Sequence, residues 1–153
     1  MENKTFNFFR FEDLRVYNKS LDYSIWVNSQ LNNINDNAIT DQFVRRFAKS
    51  ALNISVFIAD GSGRNKNQFI YCLKMAKSYV RECIVYTTIA ERNNYFNEEN
   101  VETSRTYLIE ISKMLGALIS SLLRKNVKDE PADNEDQSDM NDSIVFSQDE
   151  DDF

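Results

Sequence analysis

The chain has 153 residues, three Gly, one Pro, two Cys and no His, with a formal charge of -6. The length suits one domain with a sizeable core, and the scarcity of Gly and Pro favours long helices over a turn-rich sandwich. Without histidine, Ser-His-Asp and Cys-His nucleophilic arrangements and the Glu-x-x-His pairs of di-iron bundles are excluded.

The net charge hides a division. Residues 1–128 hold all 18 Lys and Arg and 13 of the 24 acids, a balance of +5, whereas residues 129–153 hold the other 11 acids and no base. The two parts therefore have to be read separately. No apolar run approaches the length of a bilayer span, so no membrane partner is expected. Met1 to Phe6 contain no signal-peptide core, the pattern of a cytoplasmic protein.

Residues 1–10 include Phe6, Phe8 and Phe9, which predicts an aromatic arm packed on this bundle or on a neighbouring copy. The first helix is predicted over about residues 12–34, with Leu14, Tyr17, Leu21 and Ile25 on its buried face. Asn32, Asn33, Asn35, Asp36 and Asn37 then form a turn-favouring cluster.

The second helix is predicted from a cap at Asp41 to Gly61, burying Phe43, Phe47, Ala51, Ile54 and Ile58. Gly61 and Gly63 are read as positive-φ residues that end it and reverse the chain. Asn65, with Gln68 three residues on, caps a third helix over about residues 66–92. Its stripe is Phe69, Leu73, Ala76, Val80, Cys83, Thr87 and Ala90, and it ends at Asn93-Asn94.

Asn97 caps the fourth helix, with Phe96 and Val101 as a hydrophobic staple and Glu98 and Glu99 complementing the helix dipole. Its stripe runs Val101, Ser104, Leu108, Ile111, Leu115, Leu118 and Leu122, and Lys125 and Lys128 close it. Cys72 and Cys83 lie on one helix roughly 16 Å apart, too far for a disulfide. The prediction is an all-α, antiparallel up-down-up-down four-helix bundle over residues 11–128. Residues 129–153 lose all periodicity and form a disordered acidic tail whose one apolar run is Ile144-Val145-Phe146.

Four motifs in order resemble the 23S rRNA intervening-sequence protein family of bacterial four-helix bundles. Phe11-Glu12-Asp13-Leu14-Arg15-Val16-Tyr17 resembles its opening "F-x-D-L-x-V-W/Y", and Ile58-Ala59-Asp60-Gly61-Ser62-Gly63-Arg64 its "N-I-A-E-G-x-G-R" signature. Phe69, Leu73, Ala76, Ser78 and Glu82 resemble its third helix, and Ile111 to Leu115 with Leu118-Ile119 its fourth. The chain departs from the pattern at Phe57, usually Asn, at Asp60, usually Glu, and at Ser55, often Pro. Ala48-Lys49 also stand where two arginines are usual. The acidic tail is no part of the pattern.

The resemblance implies a ring-shaped homopentamer with no established enzymatic activity. Related bundles serve reverse transcriptases of retroelements as accessory proteins, holding nucleic acid on a basic surface. Residues outside the core registers, Trp26, Tyr71, Tyr79 and Ile119, are the expected contact surface between copies.

No catalytic, metal or cofactor residues are assigned. Glu98, Glu99 and Glu102 are read as dipole-complementing acids, and Gly61-Ser62-Gly63-Arg64 as a structural turn without the context of a phosphate loop. The candidate nucleic-acid-binding residues are Arg45, Arg46 and Lys49 on helix two, Arg64 in the hinge, and Lys66, Lys74, Lys77 and Arg81 on helix three. Repeated around a ring, they form a positive band for the phosphate backbone of RNA or DNA. The alternative is a protein-interaction scaffold whose contact element is the acidic tail.

Overall fold

A computed structural model describes residues 8–129 and the side chains from Phe8 to Lys125. The expected packing of Phe6, the closing role of Lys128 and the expected disorder of the tail lie outside these residues. A 3-10 turn at Arg10–Asp13 leads into α1 (Arg15–Leu31), α2 (Ala38–Ser62), α3 (Lys66–Arg92) and α4 (Glu98–Asp129). No strand occurs among the described residues. Each helix packs on its sequence neighbours, and α1 also meets α4, which closes the bundle. The residue pairs Gln30–Asn100, Tyr23–Ser104 and Lys19–Glu110 run in opposite order, so α1 and α4 are antiparallel. Phe43–Tyr86 and Phe57–Tyr79 show the same for α2 and α3.

The core follows the α3 and α4 stripes closely. Leu73, Ala76, Cys83, Ala90, Ile111 and Leu115 are wholly buried, and Leu118 and Leu122 pack against the core at its edge. Ser104, at the least apolar place in its stripe, is also wholly buried. Ile119 is buried as well, so it is a core residue and not an outward contact. Over Glu98–Lys125, α4 is long and apolar enough to cross a membrane by length and composition, where no such segment was expected. Leu108, Ile111 and Leu115 of that segment lie in the bundle core.

α1 differs from expectation. Its buried row is Val16, Ser20, Tyr23, Val27 and Leu31, whereas Ile25 is 67% exposed and Leu14, Tyr17 and Leu21 sit at the edge. The buried hydroxyls are satisfied: Ser20 Oγ donates to the Tyr17 carbonyl at 2.6 Å, and Tyr23 Oη shares a hydrogen bond of 2.9 Å with Ser104 Oγ. Ser104 also bonds Thr87 Oγ1 at 2.7 Å, and Thr87 Oγ1 donates to the Cys83 carbonyl at 2.8 Å. One polar chain thus ties α1, α3 and α4 together inside the core.

Burial is the main cause that pushes the Tyr23 hydroxyl and the Cys83 thiol well above their ordinary ranges. Both are held neutral in the folded state, while the unfolded chain ionises first. Stability is therefore full below the ordinary thiol range of about 8.5 and falls as pH rises past it. Urea melts at pH 7, 9 and 10.5 check this: the midpoint drops over that range, and Cys83→Ala reduces the earlier part of the drop. The rest of that part comes from Cys72, whose thiol burial also raises. Cys72 is also buried, and both cysteines are free thiols.

The caps correct two readings. α2 starts at Ala38, because Asn37 accepts from the Ile39 and Thr40 amides while Thr40 Oγ1 accepts from the Asn37 amide. Asp41, the expected cap, lies in the first turn and pairs with Arg45. No glycine here has positive φ: Gly61 is buried inside α2, and Gly63 is a right-handed C-cap with φ -87°. Gly61 serves packing instead, since a Cβ there would stand 2.5 Å from Cys72 Cβ and 3.0 Å from Phe69 Cδ2. Among the described residues the left-handed one is Asn94, at φ 59°, just past α3. Asn65 and Asn97 do cap α3 and α4, accepting from the Gln68 and Asn100 amides.

Candidate nucleic-acid interface

The eight candidate cations do not form one band. On α3, Tyr79, Glu82 and Tyr86 face α2: Tyr79 meets Phe57 at 5.4 Å, Ser50 Oγ donates to Glu82 Oε2 at 3.3 Å, and Tyr86 stacks on Phe47 at 5.5 Å. On its other side α3 meets α4, where Arg105 Nη2 donates to Thr88 Oγ1 at 3.2 Å. Lys74, Lys77 and Arg81 share the register of Thr88, at steps of three, four and seven, and so flank the α4 side.

Arg45, Arg46 and Lys49 are exposed on α2, across α3 from that group. Arg45 Nε is held by Asp41 Oδ2 at 3.0 Å, and Arg64 Nη2 by Asp60 Oδ2 at 3.2 Å. These two guanidiniums share their charge with a carboxylate, which weakens them as anion sites. Lys66 is partly buried at the start of α3.

The α3 cations are the concentrated group. Partial burial is the first cause that lowers the Lys77 amine from its ordinary range, and the positive charges of Arg81 and Lys74 lower it further. Three cations this close concentrate positive charge on one stretch of α3. Arg105, exposed on α4, extends this edge and was missed in the sequence, because nothing in a one-helix periodicity shows which residue of α4 stands beside Thr88.

The hinge is no phosphate cradle. The Gly63 and Arg64 amides donate to the Asp60 and Gly61 carbonyls, and Ser62 Oγ donates to the Ala59 carbonyl. Glu99, Glu102 and Glu110 line a surface groove between α1 and α4 with Lys19 and Tyr107. Lys19 bonds Glu110 at 2.6 Å, which raises its amine, and lies 5.1 Å above the Tyr107 ring. Among the described residues no three His, Cys, Asp or Glu side chains gather where they could hold a metal ion.

Of the four expected inter-copy residues, only Tyr71 is well exposed, at 62%. Trp26 packs inward against Tyr23, Phe96 and Tyr107, Tyr79 against Phe57, and Ile119 is in the core. The exposed aliphatics are elsewhere: Ile25 on α1, Ile39 near the start of α2, Ile109 toward the middle of α4, and two pairs each one turn apart, Leu52 with Val56 on α2 and Val85 with Ile89 on α3.

A comparison with individually curated proteins gives no match. The description "23S rRNA-intervening sequence protein" belongs to a family whose sequence profile matches residues 12–117. That span runs from the 3-10 turn into the second half of α4 and takes in the Gly61 contact that joins α2 to α3. With four helices observed and the profile covering most of them, the chain belongs to the 23S rRNA-intervening sequence protein family.

Proposed function

We propose that this protein is a non-enzymatic accessory bundle that assembles as a homo-oligomer, a pentamer, and holds RNA or DNA by its phosphates. The observation that carries the reading is the Lys74, Lys77 and Arg81 cluster on the α4 side of α3, with Arg105 beside it. Phosphate contacts of this kind give affinity with little sequence preference and a steep dependence on salt. The family description fits an RNA-related role.

The test is fluorescence anisotropy of a labelled single-stranded RNA against the full chain over a salt series. Changing Lys74, Lys77 and Arg81 together to Gln lowers the log–log salt slope by about two, as expected for three lost phosphate contacts on a single strand at about 0.7 each. Changing Arg45, Arg46 and Lys49 to Gln alters it by less than about one, because Arg45 already faces Asp41. Equal slopes for parent and α3 variant, with helicity intact by circular dichroism, sink the reading.

The oligomer draws on Leu52 and Val56, 50% and 49% exposed and adjacent on the outer face of α2. Light scattering is expected to give five times the chain mass of 17.9 kDa. Leu52→Asp with Val56→Asp is expected to bring it down to the single-chain mass. A monomeric parent at micromolar concentration refutes assembly, and an unaltered mass in the variant refutes this face.

A further inference from the structure

The charges of the bundle are sorted along its axis. Because α1 and α4 are antiparallel, the start of α1 and the end of α4 share one end of the molecule. The α2–α3 hinge lies there too, since α3 and α4 are joined at the opposite end by the five residues 93–97. This end carries Arg10, Arg15, Arg64, Lys66, Arg124 and Lys125, against Glu12, Asp13 and Asp60. The opposite end carries Asp36, Asp41, Glu91, Glu98, Glu99 and Glu102, with Arg45, Arg46, Arg92 and Arg105 among them.

The basic end also exposes aromatic surface. Phe8 and Phe9 are 80% and 56% exposed, and their rings stack edge-on at 5.1 Å. Phe9 continues to Phe11 at 5.7 Å and Phe11 to Tyr17 at 5.0 Å, so a row of four rings climbs from the turn onto α1. Exposed aromatics in a row mark a surface that something covers.

The sequence that follows α4 is complementary to this end in both respects. Residues 130–153 contain 10 acids and no base, together with Ile144-Val145-Phe146. Fourteen residues separate the end of α4 at Asp129 from Ile144. A chain of that length spans about 20 Å on average, and the end of a four-helix bundle is also about 20 Å across.

We propose that residues 130–153 dock on the end of the bundle from which they emerge. Ile144, Val145 and Phe146 cover Phe8 and Phe9, and the acids at 149–152 lie against Arg10, Arg15, Arg124 and Lys125. The covalent link holds the tail at millimolar effective concentration, so a weak contact suffices. The docking does not depend on nucleic-acid binding and stands or falls on a separate measurement.

Carbodiimide cross-linking of the full chain, which joins carboxylates to lysine amines, provides the test, read by mass spectrometry. Chains of two isotopic compositions, unfolded and refolded together, separate links within a chain from links between chains. Cross-links from the acids at 149–152 to Lys66 are expected to exceed those to Lys49, toward the other end of α2, by about tenfold at low salt. Tether length alone favours Lys66, so the deciding variant keeps every acid and changes Ile144, Val145 and Phe146 to Ser. Docking predicts that links to Lys66 then fall about fivefold, and that Phe8→Ser with Phe9→Ser does the same. Links unaltered in both variants overturn the proposal, as do links formed mainly between isotopically different chains.

Discussion

Replacing Gly61 with Ala destabilises the protein by about 3 kcal/mol, while the same change at Gly63, two residues on, is nearly neutral. The added Cβ at Gly61 stands 2.5 Å from Cys72 Cβ and 3.0 Å from a ring carbon of Phe69. Cβ atoms have no rotamer with which to retreat, so α2 and α3 themselves must move apart. At Gly63 the nearest atom is the Asp60 carbonyl oxygen at 3.8 Å, and the φ of -87° suits any residue. Thermal melts are expected to separate the two variants by about 9 °C. Adding Cys72→Gly to the Gly61→Ala variant returns part of the loss, less about 1 kcal/mol for glycine within a helix. Melting points within a degree of each other would show that the helices are not in closest contact here.

Tyr23→Ala is expected to cost about 4 kcal/mol, and Tyr23→Phe only about 1 kcal/mol. The ring is wholly buried and packs on Trp26 and Tyr107, with centroids 6.1 and 5.6 Å away, so removing it opens a cavity next to two other rings. Removing the hydroxyl alone leaves Ser104 still bonded to Thr87. Ser104→Ala by itself costs about 2 kcal/mol, because it takes away the partner of a buried hydroxyl. In the Tyr23→Phe background the same serine change costs less, and the difference is the coupling across α1 and α4. Urea denaturation of the four proteins measures it. Strict additivity would mean that the hydrogen bond between them contributes nothing.

Where residues without charge recur unbroken at steps of three and four, periodicity alone located the core. The α3 and α4 stripes are such cases, and their Asn65 and Asn97 caps were legible as well. α1 was obscured because Ser20, Tyr23 and Ser24 fill its buried face while Ile25 faces water. Hydrophobicity cannot find a row whose polar atoms are satisfied by a carbonyl one turn back or by a hydroxyl from another helix. At the start of α2, Asn37 and Asp41 both suit a cap, and the reciprocal bond from Thr40 decides for Asn37. Gly61 shows a further limit: glycine permits an unusual φ or a close approach, and only the opposing residue tells which. The same limit divided the cations. Spacing grouped Lys66, Lys74, Lys77 and Arg81, of which the fold brings Lys74, Lys77 and Arg81 within reach of one another, but their side relative to Arg46 and Lys49 depends on the neighbours of α3.

The hydrogen bond between Tyr23 and Ser104 joins residues 81 positions apart, whereas the Gly61 contact joins residues separated by a short reversal. Closing a long loop costs more chain entropy than closing a short one. The α2–α3 hairpin can therefore assemble early from local contacts, and the α1–α4 seam has to close late. In folding kinetics, substitutions at Gly61 should slow refolding, and substitutions at Tyr23 or Ser104 should mainly speed unfolding. The seam that carries the buried polar chain is then also where the native bundle first comes apart.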